Sequence, residues 1–215
     1  MSSDEMLDVF NEQMVKTGTA SRRQVHAEGL WHQTFQCWVV NMQEPGNPGL
    51  VFQLRAEDKD TFPGKLDISC AGHLLAGETP ADGIRELEEE LGITSEAGEL
   101  IYCGMVAQES LISEQLTDRE FNHVFLLESR VPLKEYPFQR SEISGLFLIG
   151  LQEYKALLNG EQEEIQTREG VLLNRVKGTC GSMNKRVTLA DFTPNSEAYY
   201  RLLFGTIDKI NAEQK

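Results

Sequence analysis

The clearest hydrophobic pattern in the chain lies between residues 84 and 91. Ile84, Leu87 and Leu91 recur at positions i, i+3 and i+7, the spacing expected of a helix that packs one face on a core. Gly92 follows directly and can close the helix in the left-handed conformation. The pattern therefore predicts an amphipathic helix that ends at Gly92.

The start of this helix is also marked in the sequence. Thr79 can serve as the N-cap, Pro80 occupies the first helical position, and Asp82 can reach back as the acid of a capping box. Gly72 and Gly77 bracket a short loop before the cap. The sequence thus predicts the end of a strand, a glycine-rich loop and then the helix.

The polar face of this helix is strongly acidic. Glu86, Glu89 and Glu90 lie at i, i+3 and i+4, so their side chains share one face. Like charges at this spacing destabilise a helix, so a cation or good solvation must offset them. Carboxylates together with a loop carbonyl, such as that of Gly72, are ligands that Mg2+ prefers. The pattern alone leaves two interpretations, a metal site and a solvated acidic face.

Alternating and β-branched runs predict the remaining elements. Strands are expected at residues 6–10 (a short strand or arm), 30–42, 50–55, 66–71, 99–107, 121–128 and 142–150, the second and third forming a hairpin. Helices are expected at 151–158 and 196–212, the latter packing on the core or on a partner subunit. Residues 11–19 and 110–119 are interpreted as turns or loops, and 161–195 show no clear pattern. This order predicts an α/β fold with a mixed sheet between helices.

Composition narrows the possible functions. The net charge of −14 argues against a surface for nucleic acid or an anionic membrane, and it requires local cations for any anionic substrate. No apolar run reaches the length of a membrane span. The four cysteines form no C-x-x-C pair, and the N-terminal stretch lacks the features of a signal peptide, so a reducing, cytoplasmic setting is expected. A length of 215 residues favours one domain.

Outside the helix, two groups of residues could carry chemistry. Arg22 and Arg23 form a small cationic spot, which is either ordinary surface charge or a phosphate contact, and so a candidate for substrate binding. The second group contains histidines and acids that would make a metal or polar site if the fold gathers them: His26, His32, His73, Asp118 and Glu120. Their wide spacing also allows each to be a separate, hydrogen-bonded residue.

The stretch from residue 72 to residue 93 resembles the Nudix box, G-x5-E-x7-R-E-U-x-E-E-x-G-U, in which U is aliphatic. The matching residues, in order, are Gly72, Glu78, Arg85, Glu86, Leu87, Glu89, Glu90, Gly92 and Ile93. The chain departs from the pattern at one point, because six residues rather than seven separate Glu78 from Arg85. The later glutamates keep their register, so the feature that the shorter spacing affects is the contact between Glu78 and Arg85.

Within the Nudix superfamily, the chain resembles the branch related to type 1 isopentenyl-diphosphate isomerase. TGTASRRQVHAEGLWH is similar to the N-terminal segment of that enzyme, with one residue fewer between its two histidines, and the Gly-His pair at 72–73 and REFNHVF at 119–125 also match. The resemblance implies metal ligation by His26, His32, His73 and Asp118, and a catalytic glutamate at Glu120.

The isomerase resemblance fails at the residue that carries the isomerase chemistry. That enzyme protonates an alkene with a cysteine directly before its Gly-His pair, and this position is Ala71 here. Cys70 lies one residue earlier, where a strand turns the side chain to the opposite face, so Cys70 is expected to pack as a small buried residue. The chain also keeps the full set of box carboxylates, which the isomerase lacks. Hydrolysis is therefore favoured over isomerisation.

The Nudix resemblance implies an α/β/α sandwich with a mixed β-sheet. It covers a core of about residues 28–160, with an N-terminal arm at 1–27 and a C-terminal extension at 161–215 that adds a helix. Many relatives are dimers, so a homodimer is a possible assembly. The other expected partner is a small-molecule diphosphate substrate, with neither nucleic acid nor membrane.

The resemblance also implies an activity, the Mg2+-dependent cleavage of a diphosphate linkage in a nucleoside diphosphate derivative or similar organic pyrophosphate, with Mn2+ as a possible substitute. Glu86, Glu89 and Glu90 would hold the metal together with the carbonyl of Gly72. Either Glu86 or Glu120 would act as general base.

Two further box residues are expected to support this site rather than to react. Arg85 would orient the carboxylates and the loop, and Glu78 would brace the loop. Two alternative functions remain open from the sequence, an isopentenyl-diphosphate isomerase and a non-catalytic nucleotide sensor that uses the fold for binding.

Overall fold

The structure is a computed structural model that describes residues 5–44, 46–59, 61–113 and 116–213. In chain order its strands are β1 (Met6–Phe10), β2 (Lys16–Ser21), β3 (His32–Asn41), β4 (Gly49–Arg55), β5 (Leu66–Asp67), β6 (Cys70–His73), β7 (Ile101–Ser113), β8 (Leu116–Ser129), β9 (Ile143–Gly150), β10 (Glu164–Gln166), β11 (Glu169–Asn174), β12 (Thr179–Ser182) and β13 (Arg186–Thr188). Its α-helices are α1 (Arg22–Glu28), α2 (Arg85–Leu91), α3 (Leu151–Leu158) and α4 (Glu197–Glu213).

Within these residues, nine strands form one mixed sheet in the order β12-β11-β9-β4-β3-β8-β7, with β5 beside β4 and β6 beside β3. The central strands β3 and β8 run parallel, so His32 lies opposite Glu120 and Thr34 opposite Asn122. On its other side β3 pairs with β6 in antiparallel fashion, which sets Thr34 opposite His73. These pairings bring segments far apart in sequence to one end of the sheet.

Helices cover both faces of the sheet, which confirms the predicted α/β/α arrangement. On one face, Leu87 and Leu91 of α2 pack against Phe35 and Cys37 of β3. On the other, the cores of α3 and α4 pack against Trp38, whose indole Nε1 donates a hydrogen bond of 3.0 Å to the Tyr199 hydroxyl. Alternation along β3 explains the division, because successive side chains of a strand point to opposite faces.

The C-terminal helix packs on the core of its own chain. Tyr199, Leu203 and Ile207 are almost fully buried in the same cluster as Trp38. Of the two placements that the sequence left open for this helix, the structure shows the intramolecular one. No helix in the described part of the chain has the length and hydropathy to cross a membrane.

Two predicted loops are wrong, one of them in part. Of residues 11–19, expected to be turn-like, 11–15 do form a turn, but 16–19 belong to β2, which pairs with β1 and closes a small satellite core around Leu7 and Val25. Residues 110–119, expected to be a polar loop, extend the β7–β8 hairpin as far as the described residues 113 and 116. This part of the hairpin projects beyond the main core, so no apolar face marks it in the sequence.

Candidate active site

The acidic helix is entered through a tighter turn than the sequence predicts. Residues Asp82–Ile84 form a 3-10 turn, and α2 starts at Arg85 instead of near Pro80. The predicted capping acid is confirmed, because the Asp82 carboxylate accepts hydrogen bonds of 2.7 Å from both the backbone N–H and the hydroxyl of Thr79. Gly92 closes the helix with a φ of 64°, as predicted.

The contact between Arg85 and Glu78 forms in spite of the shorter spacing. Arg85 Nε lies 2.9 Å from Glu78 Oε1, and Arg85 Nη2 lies 3.1 Å from Oε2 and 2.9 Å from the carbonyl oxygen of His73. A 3-10 turn rises about 2.0 Å per residue against about 1.5 Å in an α-helix, so fewer residues span the same distance. Burial raises the pKa of Glu78, but the hydrogen bonds from Arg85 and from the backbone N–H of Leu75, together with the charge of Arg85, outweigh it and hold that pKa below its usual value.

Two of the three box carboxylates are buried. Glu86 is 8% exposed and Glu90 is 4% exposed, whereas the Glu89 side chain is mostly in solvent. Burial raises the pKa of Glu86 to about 7, against the opposing effect of Arg85, whose Nη1 lies 2.5 Å from Glu86 Oε1. Burial and the charge of Glu86 raise the pKa of Glu90 to about 8. These carboxylates are desolvated and mutually repulsive, a state that a bound cation would relieve.

Gly72 gives the carboxylates room against the end of β6. A Cβ atom at residue 72 would lie 2.1 Å from Cδ of Glu86 and 2.3 Å from its Oε1, closer than real contacts allow. The neighbouring backbone N–H of Ala71 donates to Glu90 Oε2 at 3.1 Å. The glycine is therefore required so that the Glu86 carboxylate can lie directly against the strand backbone.

The box residues line a common cavity of about 330 Å3, together with four residues that the sequence did not single out, Glu5, Leu75, Gln139 and Glu142. The structure places Gly72, Glu78, Arg85, Glu86, Glu89 and Glu90 around it. Among the described residues, however, groups of three ligand atoms within 4.8 Å of one another occur only at the histidines and acids considered next. The box carboxylates thus share a cavity without converging to ligand distance.

The five dispersed histidines and acids do come together. His26, His32 and His73 have ring centroids 5.1 to 5.2 Å apart, and Asp118 Oδ1 lies 3.8 Å from Nε2 of both His26 and His32. Glu120 Oε1 lies 3.9 Å from His32 Nε2. We call these five residues the histidine cluster.

Hydrogen bonds fix how two of the imidazoles face this cluster. His26 Nδ1 lies 2.9 Å from the carbonyl oxygen of Arg22, and His32 Nδ1 lies 3.0 Å from that of Leu30. A carbonyl accepts, so Nδ1 carries a proton in each ring, which leaves Nε2 as the nitrogen that holds the lone pair of the neutral form. Three buried polar atoms of the cluster have no hydrogen-bond partner among the described residues: His32 Nε2, His73 Nε2 and Asp118 Oδ1.

The electrostatics of the cluster favour neutral imidazoles at His32 and His73. Burial lowers the pKa of His32, and burial together with His32 and His26 lowers that of His73 well below its usual value. Burial and the charge of Asp118 raise the pKa of Glu120 well above its usual value. Neutral imidazole nitrogens beside carboxylates are metal-ligand donors, so the unpartnered atoms fit a divalent cation.

A second cavity of about 790 Å3 opens beside the histidine cluster and shares Gly72, His73 and Glu90 with the first. Cations from two parts of the chain line it: Arg22, Arg23, Arg55 and Lys59. The sequence suggested the first two and missed Arg55 and Lys59, because only the bend after β4 places these residues at the cavity. The one available signal was the position of Arg55 at the end of the strand predicted at 50–55, and Lys59 lay in a stretch that was interpreted as a polar loop.

Acidic side chains position the two missed cations. Arg55 Nη1 lies 2.7 Å from Asp67 Oδ2, and Lys59 Nζ lies 2.7 Å from Glu142 Oε2. Each pair is largely shielded from solvent. The cations are therefore held at the cavity wall rather than free to swing into solvent.

Ala71 and Cys70 lie as the alternation of a strand requires. Ala71 lines the large cavity, whereas Cys70 is fully buried on the opposite face, in the core formed with Leu87. Burial, followed by the charge of Glu90, raises the pKa of the Cys70 thiol. The expectation that Cys70 packs in the core is confirmed, and its thiol does not face the large cavity.

Comparison with known proteins agrees with this geometry. The NUDIX domain family matches residues 30–168. The chain is 38% identical over 200 residues to an uncharacterized Nudix hydrolase of Clostridium acetobutylicum, covering 93% of this chain and 95% of that protein. It is 32% identical to Nudix hydrolase 3 of Arabidopsis thaliana, covering 83% of this chain but only 24% of that longer protein.

The chain is also similar to an enzyme of the isomerase branch and to a solved structure. The chain is 31% identical to an isopentenyl-diphosphate Delta-isomerase of Streptomyces griseus, over 70% of this chain and 75% of that enzyme. The crystal structure of DR0079 from Deinococcus radiodurans superimposes with a TM-score of 0.54 at 25% identity, covering 74% of this chain and 91% of that one. The chain therefore belongs to the Nudix family, as an enzyme of the Nudix hydrolase type from a branch related to isopentenyl-diphosphate isomerase.

Proposed function

We propose that this enzyme uses water to cleave the diphosphate linkage of a small organic diphosphate, with Mg2+ as its metal. The observation that supports this most is the pair of buried carboxylates, Glu86 and Glu90, beside the open backbone of Gly72. Buried carboxylates of this kind are costly for a fold unless a cation compensates them. Their cavity also adjoins one that is lined with arginine and lysine.

The residues proposed to hold Mg2+ are Glu86, Glu89 and Glu90, with the carbonyl oxygen of Gly72. All four residues line the 330 Å3 cavity. Each offers an oxygen atom, which is the ligand type that a hard cation such as Mg2+ prefers. When bound, the metal would neutralise charge on the diphosphate oxygens and make a water molecule more acidic. Arg85 orients the site, because it holds Glu78, Glu86 and the carbonyl of His73 at once.

The general base is proposed to be Glu86 or Glu120. Burial raises the pKa of both, which makes each a better proton acceptor than an exposed glutamate. Glu86 lines the smaller cavity and Glu120 lines the larger one. Glu86→Gln and Glu120→Gln, each assayed across pH at saturating metal, separate the two assignments, because loss of the base removes the acidic limb of the kcat profile whereas loss of a metal ligand lowers kcat at every pH.

The diphosphate is proposed to bind where the two cavities meet. Four cationic side chains line this wall in a chain of net charge −14: Arg22, Arg23, Arg55 and Lys59. Guanidinium groups bind phosphate oxygens through paired N–H donors. Substitution of Arg55 by Leu is therefore expected to raise KM more than it lowers kcat.

The histidine cluster is proposed as a second metal site. His26, His32 and His73 offer nitrogen donors, and Asp118 and Glu120 offer carboxylate oxygens, a mixture that suits a transition-metal cation such as Mn2+ better than Mg2+. The Nδ1 hydrogen bonds of His26 and His32 would hold the rings in the ligating orientation. This site would bind metal independently of the box carboxylates.

One alternative function has an observation in its favour. The histidine cluster joins the residues that match the metal ligands and catalytic glutamate of isopentenyl-diphosphate isomerase, which supports that reaction. Against it, Ala71 stands at the cavity where the isomerase pattern has a reactive cysteine, and Cys70 lies on the other face. An alanine side chain cannot protonate an alkene, so hydrolysis remains the proposal.

A turnover screen tests the proposal. The purified protein would be assayed with Mg2+ and with Mn2+ on ADP-ribose, dinucleotides, nucleotide sugars, nucleoside diphosphates and triphosphates, and isopentenyl diphosphate. Hydrolysis of at least one compound is expected, with near-complete loss in Glu89→Gln and full retention in Glu88→Gln. Glu88 is the matched control, because it is exposed on the same helix and lines neither cavity. Near-normal turnover by Glu89→Gln would refute the assignment of Glu89 as a ligand.

A further inference from the structure

Part of the C-terminal extension reaches the large cavity. Phe192 forms a parallel bridge with Leu66 of β5, and the backbone N–H of Thr193 donates a hydrogen bond of 2.9 Å to the carbonyl oxygen of Leu66. Residues 193–195 then line the large cavity. They lie outside residues 30–168, which match the NUDIX domain family. The cavity therefore takes one part of its wall from the extension.

Thr193 is connected to a cation of this cavity through Asp67. The Thr193 hydroxyl donates a hydrogen bond of 2.7 Å to Asp67 Oδ1, which also accepts one of 2.9 Å from the backbone N–H of Ile68. The other oxygen, Asp67 Oδ2, accepts a hydrogen bond of 2.7 Å from Arg55 Nη1. One carboxylate thus joins the extension to Arg55.

Thr61 holds the other side of the Arg55 guanidinium. Arg55 Nε donates to the carbonyl oxygen of Thr61 at 2.9 Å, and Nη2 donates to its hydroxyl at 3.0 Å. With the bond to Asp67, contacts to the described residues use three of the five N–H groups of Arg55. One N–H remains on each of Nη1 and Nη2, and two such donors match two oxygens of a phosphoryl group.

The Thr193 hydroxyl is not needed to attach its segment to the core. Phe192 is buried with its ring centroid 5.1 Å from that of Phe52, and the backbone bond to Leu66 holds the next residue. A valine has the shape of threonine and would keep both contacts. What the hydroxyl does is restrict Asp67, because a carboxylate turns readily about its terminal torsion and two donors on Oδ1 fix its plane.

We propose that Thr193 is a positioning residue for diphosphate binding, which acts by fixing the Asp67 carboxylate that holds Arg55 at the large cavity. The C-terminal extension is then part of the substrate site and not only a cover for the core. This inference rests on the proposed function, because it takes Arg55 to bind a phosphoryl group. It requires no contact between Thr193 and the substrate.

Equilibrium binding of methylenediphosphonate, measured by calorimetry with Mg2+ present, tests this without any need for turnover. Thr193→Val keeps the shape and removes the hydroxyl, so affinity is expected to fall by about fivefold, the effect of one hydrogen bond. Thr193→Ser keeps the hydroxyl and is expected to restore the affinity. With a substrate from the screen, Thr193→Val is expected to raise KM and to leave kcat unchanged.

Thr188→Val is the matched control. The Thr188 hydroxyl also bonds an aspartate of the same segment, Asp191, at 3.0 Å, but it lines neither cavity and has no link to Arg55. Wild-type affinity is expected in this variant. An equal loss of affinity in Thr188→Val and Thr193→Val would show that loosening of the segment, and not the bond to Asp67, is responsible, and would overturn the inference.

A double-mutant cycle tests whether Thr193 acts through Arg55. In the Arg55→Leu background, where the other cations of the cavity remain, Thr193→Val is expected to cause no further loss of affinity. Losses that add in the double variant, or an unchanged affinity in Thr193→Val alone, would overturn the inference. Thr193→Ala removes the same hydroxyl without adding a methyl group, and it takes the place of Thr193→Val if that variant fails to fold.

Failure of this inference can be told apart from failure of the proposed reaction. If the protein hydrolyses no diphosphate, the proposed reaction fails, but the binding cycle still decides whether Thr193 positions Arg55. If hydrolysis is found and the losses in the cycle add, the reaction stands and the role of Thr193 fails. Absence of methylenediphosphonate binding to the wild type would overturn the inference and leave the reaction to the turnover screen.

Discussion

Arg85 contacts both carboxylate oxygens of Glu78, at 2.9 and 3.1 Å, across a segment one residue shorter than the Nudix pattern has there. The 3-10 turn at Asp82–Ile84 is longer per residue than an α-helix and so compensates for the missing residue. The contact between Glu78 of the loop and Arg85 of the helix, which we call the brace, therefore still forms. The same guanidinium also reaches Glu86 and the carbonyl oxygen of His73. One side chain thus ties the glycine loop to the carboxylates.

Arg85→Lys tests the importance of this brace. An ammonium group cannot reproduce the fork that contacts two carboxylates and a carbonyl, so the free energy of unfolding is expected to fall by about 1–3 kcal/mol and kcat to fall with it. Chemical denaturation and steady-state kinetics measure both. Arg201→Lys, at an exposed ion pair with Glu197, is the control and is expected to change stability by less than about 0.5 kcal/mol. Wild-type values for both variants would contradict the role of the brace.

Gly72→Ala tests the close approach of the strand to the carboxylates. The added methyl would overlap the Glu86 carboxylate, so that side chain must move and metal-dependent activity is expected to be lost. Gly205→Ala is the control, because a Cβ at residue 205 meets nothing within 4 Å and an alanine stabilises a helix interior by about 0.5–1 kcal/mol. Activity in Gly72→Ala equal to that of the wild type would show that Glu86 is not needed where the structure places it.

His73→Gln tests the histidine cluster as a metal site. Removing one of three imidazole donors is expected to abolish stoichiometric Mn2+ binding, measured by calorimetry or by metal content after dialysis. His123→Gln is the control, because His123 is also buried but bonds the Tyr102 hydroxyl outside the cluster. Equal Mn2+ content in both variants would show that the histidine cluster is not the Mn2+ site.

Thiol reactivity gives a test of burial that is independent of activity. Burial raises the pKa of Cys37 and of Cys70, and it raises that of Cys103 to about 11, whereas Cys180 is exposed. The thiolate is the reactive form, so rapid modification of the native protein is expected at Cys180 alone among these residues. Cys180→Ser should abolish the rapid phase. A rapid phase that persists in this variant would show that one of the other three is accessible.

The carboxylate helix could be predicted from the sequence because its signals are local. The spacing of Leu87 and Leu91 fixed the buried face, and the Gly92 cap and Asp82 capping acid were recognisable from adjacent residues. The start of α2 was placed too early, because nothing in the sequence distinguishes a 3-10 turn from a first α-helical turn.

The resemblance to the isomerase branch suggested the residues of the histidine cluster, but the residue pattern alone could not predict that they lie close together. Its assembly depends on the parallel pairing of β3 with β8, in which His32 meets Glu120 across a long stretch of chain. The extension of β8 to Asp118 was missed for a related reason, since that end of the hairpin has no apolar face to signal a strand. The hydrogen bond between Thr34 and Asn122 depends on the same pairing.

The most direct test of the central claim follows the oxygen of water into the product. The best substrate from the screen would be incubated with the enzyme and metal in heavy-oxygen water, and the products examined by phosphorus NMR and mass spectrometry, with Glu88→Gln and Glu89→Gln in parallel. Hydrolysis predicts one heavy oxygen in one of the two phosphoryl products, in the wild type and Glu88→Gln only. An intact diphosphate with a shifted double bond and no heavy oxygen would contradict the account and assign isomerase chemistry to the histidine cluster.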